Sequence, residues 1–340
     1  MAPDSHKPYD PRALRAIANE YGQPDDWRAA RELAITALPF IALVAAVFAA
    51  VNAGFWPGLL LVIPAGALLV RLFMIQHDCG HGTFFSRRRL NDLVGRAIGV
   101  LTLTPYTFWR RSHAIHHATS GNLDRRGIGD VNTLTVREYL SSSRWGRFFY
   151  RVYRHPLVIF GIGPTYIFLI RHRAPGGTVL REREALLSVL GTNLAIVGIV
   201  AAAAFTIGLD TLAIGYLPVS LIGASLGVWL FYVQHQYEDT YWAHEDNWDF
   251  ATAAWEGSSY YDLPRPLHWL TANIGFHHIH HLCSKVPSYR LRDCFLANPA
   301  FAQARRLTLR SSLRCARLAL WDEDTRKLVS FRDLPGAAAA

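Results

Sequence analysis

Four long runs without charge constrain this 340-residue chain more than any other feature of its sequence. Residues 33–52, 185–205 and 212–233 contain no Asp, Glu, Lys or Arg, and residues 57–75 contain only Arg71. Each run is close to the ~20 residues that an α-helix needs to cross the hydrocarbon layer of a bilayer. Because four such runs are not expected as buried helices of one soluble protein, the sequence predicts four transmembrane helices.

The distribution of the basic residues predicts how these helices are oriented. All 35 Lys and Arg lie in residues 1–33, 71–183 and 265–340, and the turns at residues 53–56 and 206–211 contain none. Because basic loops stay on the cytoplasmic side of a membrane, all three segments are expected to be cytoplasmic. The net charge of +9 therefore reflects membrane topology, and no nucleic-acid partner is expected.

These features together predict the fold class and the domain organisation. We expect an all-α integral membrane protein with four transmembrane helices in two hairpins and a cytoplasmic helical cap, all in a single domain of residues 1–340. The cap would consist of residues 1–32, 76–184 and 234–340, so that both termini are cytoplasmic. Since the N-terminus has no early apolar core, no cleaved signal peptide is expected, and the expected location is a bacterial inner membrane.

Histidine is concentrated in three short windows. They are His77-Asp-Cys-Gly-His81, His113-Ala-Ile-His-His117 and His277-His-Ile-His-His281. On a helix, residues three or four positions apart share one face, so each window can direct two or three imidazoles to one point. One His-x-x-x-His pair would be weak evidence of a ligand set, whereas three windows beside the ends of apolar runs predict a metal centre.

The number of imidazoles predicts two metal ions. His77 and His235 each follow an apolar run after one intervening residue, and the other two windows can fold beneath those helix ends. Eight to ten imidazoles are too many for one ion, which takes about four to six ligands. Fe, Cu, Zn and Ni all suit nitrogen ligands, but the His-Glu-x-x-His string of zinc hydrolases is absent. Two redox-active irons that activate O₂ therefore fit better.

The motifs resemble those of the membrane fatty acid desaturases, over about residues 35–320. That family has one His-x-x-x-His box followed by two His-x-x-His-His boxes, with two hydrophobic hairpins between them. Residues 77–81 match the first box of the acyl-lipid branch. Residues 275–281, followed by Pro287-Ser-Tyr-Arg-Leu, are similar to the bacterial and plastid Δ12 (omega-6) type. His235 matches the extra His that the family has after its last membrane helix.

This resemblance implies a non-haem di-iron centre that uses O₂ and two electrons for each double bond. Carried over by position, the iron ligands would be His77, His81, His113, His116, His117, His235, His277, His280 and His281. His278 is an additional His and an alternative to His277 as the first ligand of the third box. Asp78 and Asn273 are expected to contact and orient ligating imidazoles without binding a metal ion themselves. The acyl-CoA branch has an Asn four residues before its extra His, where this chain has Phe231, which argues against close kinship with that branch.

The implied substrate is a lipid-linked fatty acyl chain, into which a cis double bond of the Δ12 type would be inserted. Because the haem-binding string His-Pro-Gly-Gly is absent, electrons would come from a separate ferredoxin-like or cytochrome b5-like donor. A di-iron hydroxylase or ketolase of a carotenoid or sterol stays open, since box spacing does not separate it from a desaturase. A membrane metal-binding or transport protein is disfavoured, because its ligands would lie near the bilayer midplane.

Overall fold

The computed structural model describes residues 10–176 and 181–334, which are mostly helical. The α-helices in these residues are α1 (Pro11–Asn19), α2 (Asp26–Asn52), α3 (Val62–His81), α4 (Arg88–Leu101), α5 (Tyr106–Thr119), α6 (Val136–Ser141), α7 (Arg144–Arg154), α8 (Gly163–Leu169), α9 (Arg183–Thr206), α10 (Leu209–His235), α11 (Phe250–Glu256), α12 (Arg265–Leu270), α13 (His277–Leu282), α14 (Ser288–Ala297) and α15 (Leu309–Cys315). Short 3-10 helices cover Trp56–Leu61, Arg171–Arg173, Glu245–Asn247 and Pro299–Gln303, and a π-helical turn covers Val158–Ile162. The strands are β1 (Leu134–Thr135), β2 (Tyr260–Asp262), β3 (Arg306–Thr308), β4 (Leu318–Asp322) and β5 (Lys327–Ser330).

Four helical segments of the described chain are long and apolar enough to cross a membrane, as the sequence predicted. They are α2, α9, α10 and the continuous segment Trp56–His81. They extend beyond the apolar runs, since α3 continues six residues past residue 75 and α10 two residues past residue 233. With a rise of about 2.0 Å per residue in the 3-10 turn and about 1.5 Å in α3, the segment Trp56–His81 is about 42 Å long, which exceeds a hydrocarbon layer of about 30 Å. The last turns, which carry histidines, can therefore project out of that layer.

The centre of the helical bundle is α3, which packs against α2, α4 and α10. Leu69 and Leu72 of α3 lie in one apolar core with Phe40 of α2 and Val219 of α10. By contrast, α9 leaves large apolar side chains uncovered, and Phe205 is 91% exposed. Uncovered apolar surface of this kind is typical of helices that face lipid.

The mainly helical fold that was expected is confirmed, but the described chain also contains five short strands in two small sheets, which the all-α expectation did not include. β1 pairs in parallel with β4, which pairs in antiparallel with β5. β2 and β3 form a separate parallel pair. The strands contain two to five residues each, and the parallel partners are far apart in the sequence. Such strands have too few residues to show an alternating pattern, so periodicity did not reveal them.

The buried guanidinium of Arg154 ties the β1–β4–β5 sheet to the end of α10. It donates to the hydroxyl of Tyr232 at 2.9 Å, to Oε1 of Gln236 at 2.9 Å and to the carbonyl of Leu318 at 2.8 Å. Arg154 is only 3% exposed. A buried charge needs such a set of acceptors, so this residue fixes the position of the last spanning helix relative to the strands.

Candidate metal centre

The last turn of α3 carries the first two candidate ligands. His77 and His81 are one turn apart, and their ring centroids are 4.8 Å from each other. Gly82 ends the helix directly afterwards with a φ of +74°, a left-handed conformation that favours glycine. Oδ1 of Asp78 lies 3.1 Å from Nδ1 of His77, while its Oδ2 accepts the backbone N–H of Ser288 at 2.6 Å. Asp78 thus contacts one candidate ligand, and also the segment after α13.

The other two windows lie on α5 and α13. The ring of His113 stacks on that of Trp109, with centroids 4.6 Å apart and planes at 15°. α13 begins at His277, and the ring of Phe276, directly before it, stacks on His268 at 4.7 Å. These aromatic contacts set the rotation of each short helix, and so the direction of its imidazoles.

Five of the imidazoles form a first group, in which the nearest ring nitrogens all lie within 4.8 Å of one another. Its members are His77, His81, His113, His117 and His280. Nε2 of His113 is 3.1 Å from Nε2 of His81 and 3.0 Å from Nε2 of His117. Nε2 of His280 is 3.1 Å from that of His117. Residues from α3, α5 and α13 therefore converge on one point.

A second group lies beside the first. His116, His235 and His281 meet the same 4.8 Å limit, and Nε2 of His277 is 2.9 Å from Nε2 of His235. The groups touch through His117 and His281, whose rings stack with centroids 4.2 Å apart and planes at 17°. All nine candidate ligands are thus brought together, in one set of five and one set of four.

Hydrogen-bond acceptors hold the outer nitrogens of the second group. Nδ1 of His116 contacts Oδ1 of Asp130, and Nδ1 of His235 lies 3.0 Å from the carbonyl oxygen of Gly257. An imidazole whose Nδ1–H is held in this way presents the lone pair of Nε2 in a fixed direction. Metal ligands in proteins are commonly fixed by such outer partners.

The donor set fits metal ions. Nε2 of His116 and of His281 are buried and have no hydrogen-bond partner in the described chain. Buried polar atoms are nearly always partnered, so these two nitrogens, which lie within the histidine groups, are free to bind a ligand that protein atoms do not supply. The nine imidazoles bring no carboxylate into either group, a nitrogen-only set that suits iron and other late first-row metals.

Burial also keeps these rings in the form that binds a metal. It lowers the pKa of five candidate ligands on α5 and α13, and the charges of neighbouring imidazoles lower it further. These residues are His113, His117, His277, His280 and His281. A neutral imidazole has a free lone pair on one nitrogen, whereas a protonated one has none.

The alternative third-box ligand, His278, lies outside both groups. Its ring is fully buried among aromatic side chains, 5.4 Å from Trp255 and 5.9 Å from Tyr260. Burial lowers the pKa of His278 to about 3. Asn273 has no direct bond to a candidate ligand in the described chain, since its side-chain amide donates to the carbonyl of Ser288 at 3.2 Å. Within the described residues Asn273 is connected to His77 only indirectly, through Ser288, whose backbone N–H donates to Asp78.

Asp130 and Phe231 were not recognised as site residues from the sequence. Asp130 follows Gly129, whose φ is +76° and where an added Cβ would lie 2.9 Å from the carbonyl oxygen of Ser112. Only glycine allows the loop to approach α5 so closely, and this approach brings Asp130 to His116. The ring of Phe231 packs 5.1 Å from that of His116, so an apolar side chain covers the second group. A glycine before an aspartate in a loop was the only signal available for Asp130.

The chain matches the family model for fatty acid desaturases over residues 53–312. It is 43% identical over 312 residues to a fatty acid desaturase of Bacillus subtilis, which covers 92% of this chain and 88% of that protein. It is 31% identical over 234 residues to the sn-1 acyl-lipid omega-3 desaturase (ferredoxin) of Synechocystis sp., or 67% of this chain and 63% of that protein. The sn-1 oleoyl-lipid 12-desaturase of Synechocystis sp. is 28% identical over 237 residues, or 67% of this chain and 64% of that protein.

Proposed function

Because the chain belongs to the fatty acid desaturase family and is therefore an oxidoreductase, we propose that it uses O₂ to insert a cis double bond into a lipid-linked acyl chain. We place the new double bond at the Δ12 position. The third-box residues and the similarity to an sn-1 oleoyl-lipid 12-desaturase support this regiochemistry. The names of two relatives specify acyl lipids, which supports a lipid-linked substrate.

The observation that carries the proposal is the pair of nitrogen-only histidine groups at the ends of apolar helices. The first iron would be held by His77, His81, His113, His117 and His280, and the second by His116, His235, His277 and His281. When bound, two irons supply the oxidising power needed to take hydrogen from an unactivated methylene pair. O₂ accepts four electrons and forms two molecules of water. Two electrons leave with the two hydrogens of the acyl chain, and two more, with two protons, come from outside.

The residues of the chain hold and shield this centre. Asp78, Asp130 and the carbonyl of Gly257 fix the outer nitrogens of three imidazoles, so that little reorganisation is needed when metal binds. Trp109 and Phe231 cover the two groups with aromatic rings. Apolar walls exclude water, which protects a strong oxidant from side reactions.

The membrane arrangement is part of the proposal. The four helices would form two hairpins in a bacterial inner membrane, and the segments that carry the boxes would form a cytoplasmic cap of a single domain. The position of every Lys and Arg on one side of the four helices supports this orientation. Both termini, which lie outside the described residues, would be cytoplasmic. A reporter fused after residue 340 should then be active on the cytoplasmic side, and extracytoplasmic activity would contradict the arrangement.

The two external electrons require a separate carrier, ferredoxin-like or cytochrome b5-like. The name of a Synechocystis relative includes ferredoxin, which supports the first of these classes.

Expression in a host that lacks the activity, followed by fatty-acid methyl ester analysis with double-bond location, tests the proposed reaction. We expect a new cis double bond at Δ12, and none when His116→Ala replaces the wild type. The matched control is His155→Ala, because His155 is exposed and, within the described residues, its Nδ1 accepts only the backbone N–H of Leu157. A double bond elsewhere would refute the Δ12 assignment alone, whereas hydroxylated products would refute desaturation.

A further inference from the structure

An open cavity of about 550 Å³ connects the surface to both histidine groups. It is lined by the half-buried His117 and the buried His281, together with the exposed side chains of Arg12, Arg15 and Lys285. We call this set of five residues the basic cleft. His117 belongs to the first group and His281 to the second, and theirs are the rings that stack at 4.2 Å. The two rings that join the histidine groups are therefore also the rings that the cleft reaches.

The charge around the cleft is only partly neutralised. Arg12 forms an ion pair with Asp249 at 3.1 Å. The guanidinium of Arg15 lies over the ring of Phe250, 5.1 Å from its centroid. Neither Arg15 nor Lys285 has a carboxylate within ion-pair distance in the described part of the chain. Two unpaired cations beside an opening favour a negatively charged partner.

The shape of the opening suits a protein surface. Its walls are α1, the segment after α13 and the outer face of α5, where the side chains next to His117 are Ala114 and Ala118. Both alanines are exposed, and their side chains are only methyl groups. A partner can therefore come close to the helix beside the candidate ligand His117. Electron-transfer encounters are among the smallest protein interfaces, so a carrier of this kind needs only a small exposed patch.

We propose that the basic cleft is the docking site for an acidic one-electron carrier, which delivers electrons at the stacked pair His117 and His281. This inference rests on the proposed function, since that reaction needs two external electrons. Two successive encounters would each oxidise one reduced carrier, and the two protons would come from water. Entry at the stacked pair places an arriving electron next to both groups at once.

The test is binding of a purified acidic [2Fe–2S] ferredoxin to the full chain in phosphatidylcholine nanodiscs, without turnover. The double variant Arg15→Glu/Lys285→Glu should raise the Kd about 10-fold or more at low ionic strength, and the difference should shrink as salt is added. The KM for ferredoxin in desaturation should rise in parallel. The matched control is Arg326→Glu/Arg332→Glu, because both residues are exposed, lie outside the cleft and form no ion pair in the described chain. This variant should bind ferredoxin like the wild type.

The outcomes separate the docking site from the proposed function. Equal Kd values for the wild type and the cleft variant, or no binding by the wild type at low salt, would overturn the docking site. The cleft variant could instead bind ferredoxin normally while its desaturation activity, unlike that of the wild type, no longer depends on phosphatidylglycerol in the nanodisc. That result would overturn the docking site and assign the cleft to a lipid headgroup. If the wild type forms no desaturated product although ferredoxin binds at the cleft, the proposed reaction fails and the docking site stands.

Discussion

Replacing Asp130 by Asn should selectively weaken metal binding by the second histidine group. Oδ1 of Asp130 contacts Nδ1 of His116, and its other carboxylate oxygen, Oδ2, is buried without a hydrogen-bond partner in the described chain. An Asn side chain has nearly the same shape and still accepts from Nδ1, but it carries no charge to increase the basicity of the imidazole. Loss of an outer partner of this kind typically costs about 10–100-fold in metal affinity or activity. That corresponds to about 1.4–2.7 kcal/mol at one of the two ions.

The assay is iron per chain after a timed challenge with a chelator, measured together with desaturation. The wild type should retain about two irons and Asp130→Asn about one, because only the second group contains His116. Asp124→Asn is the matched control, since Oδ1 of Asp124 lies 2.8 Å from Nδ1 of His244 in the same kind of pair on an exposed surface. Wild-type retention of iron by Asp130→Asn, or equal loss from Asp124→Asn, would refute the reasoning.

Three further outcomes are expected. His277→Gln should lose iron and activity. His278→Gln should keep its iron but unfold at a lower temperature, because the ring of His278 fills an aromatic pocket outside both groups. Iron analysis combined with thermal unfolding checks both variants. Hydrogen bonds to two carboxylates raise the pKa of His244, so its stabilising contribution is present below about pH 6.5 and is lost as pH rises through the raised pKa. The difference in unfolding temperature between the wild type and His244→Gln should therefore narrow between about pH 6 and pH 9. Arg154→Lys leaves several buried acceptors unpaired and should cost about 2–4 kcal/mol of unfolding free energy, measured by thermal or denaturant unfolding.

The sequence predicted the four long helices because their signal is local. An apolar run of about 20 residues can be recognised without knowing which segments pack against it, and so can a pair of histidines one helical turn apart. The strands were missed because strand pairing is not a local property of the sequence. β1 consists of Leu134–Thr135, and its partner β4 begins at Leu318, so only the folded chain brings them together.

The choice between His277 and His278 shows where spacing stops being informative. Each is followed by another histidine three residues later, His280 and His281 respectively, so both have a partner on the same helical face. Adjacent residues on a helix point about 100° apart, so only one can face the ligand from α10, which is His235. Stacking of Phe276 on His268 fixes the rotation of α13, and that contact arises only in the tertiary structure.

The motif spacing splits each three-histidine box into a pair and a single residue, and the folded chain decides which group each part joins. In a His-x-x-His-His box on a helix, the first and last residues are four positions apart and share a face most closely, while the middle one is rotated away. On α5, the pair His113 and His117 lies in the first group and the middle residue, His116, in the second. On α13 the assignment is reversed, because the middle residue His280 lies in the first group and the outer pair contacts the second. The His-x-x-x-His box of α3 has no middle ligand and adds two imidazoles to the first group only. One further imidazole, from the end of α10, then brings the second group to four. Had both boxes divided in the same sense as on α5, the groups would hold six and three imidazoles, so the opposite senses spread the ligands more evenly over the two groups.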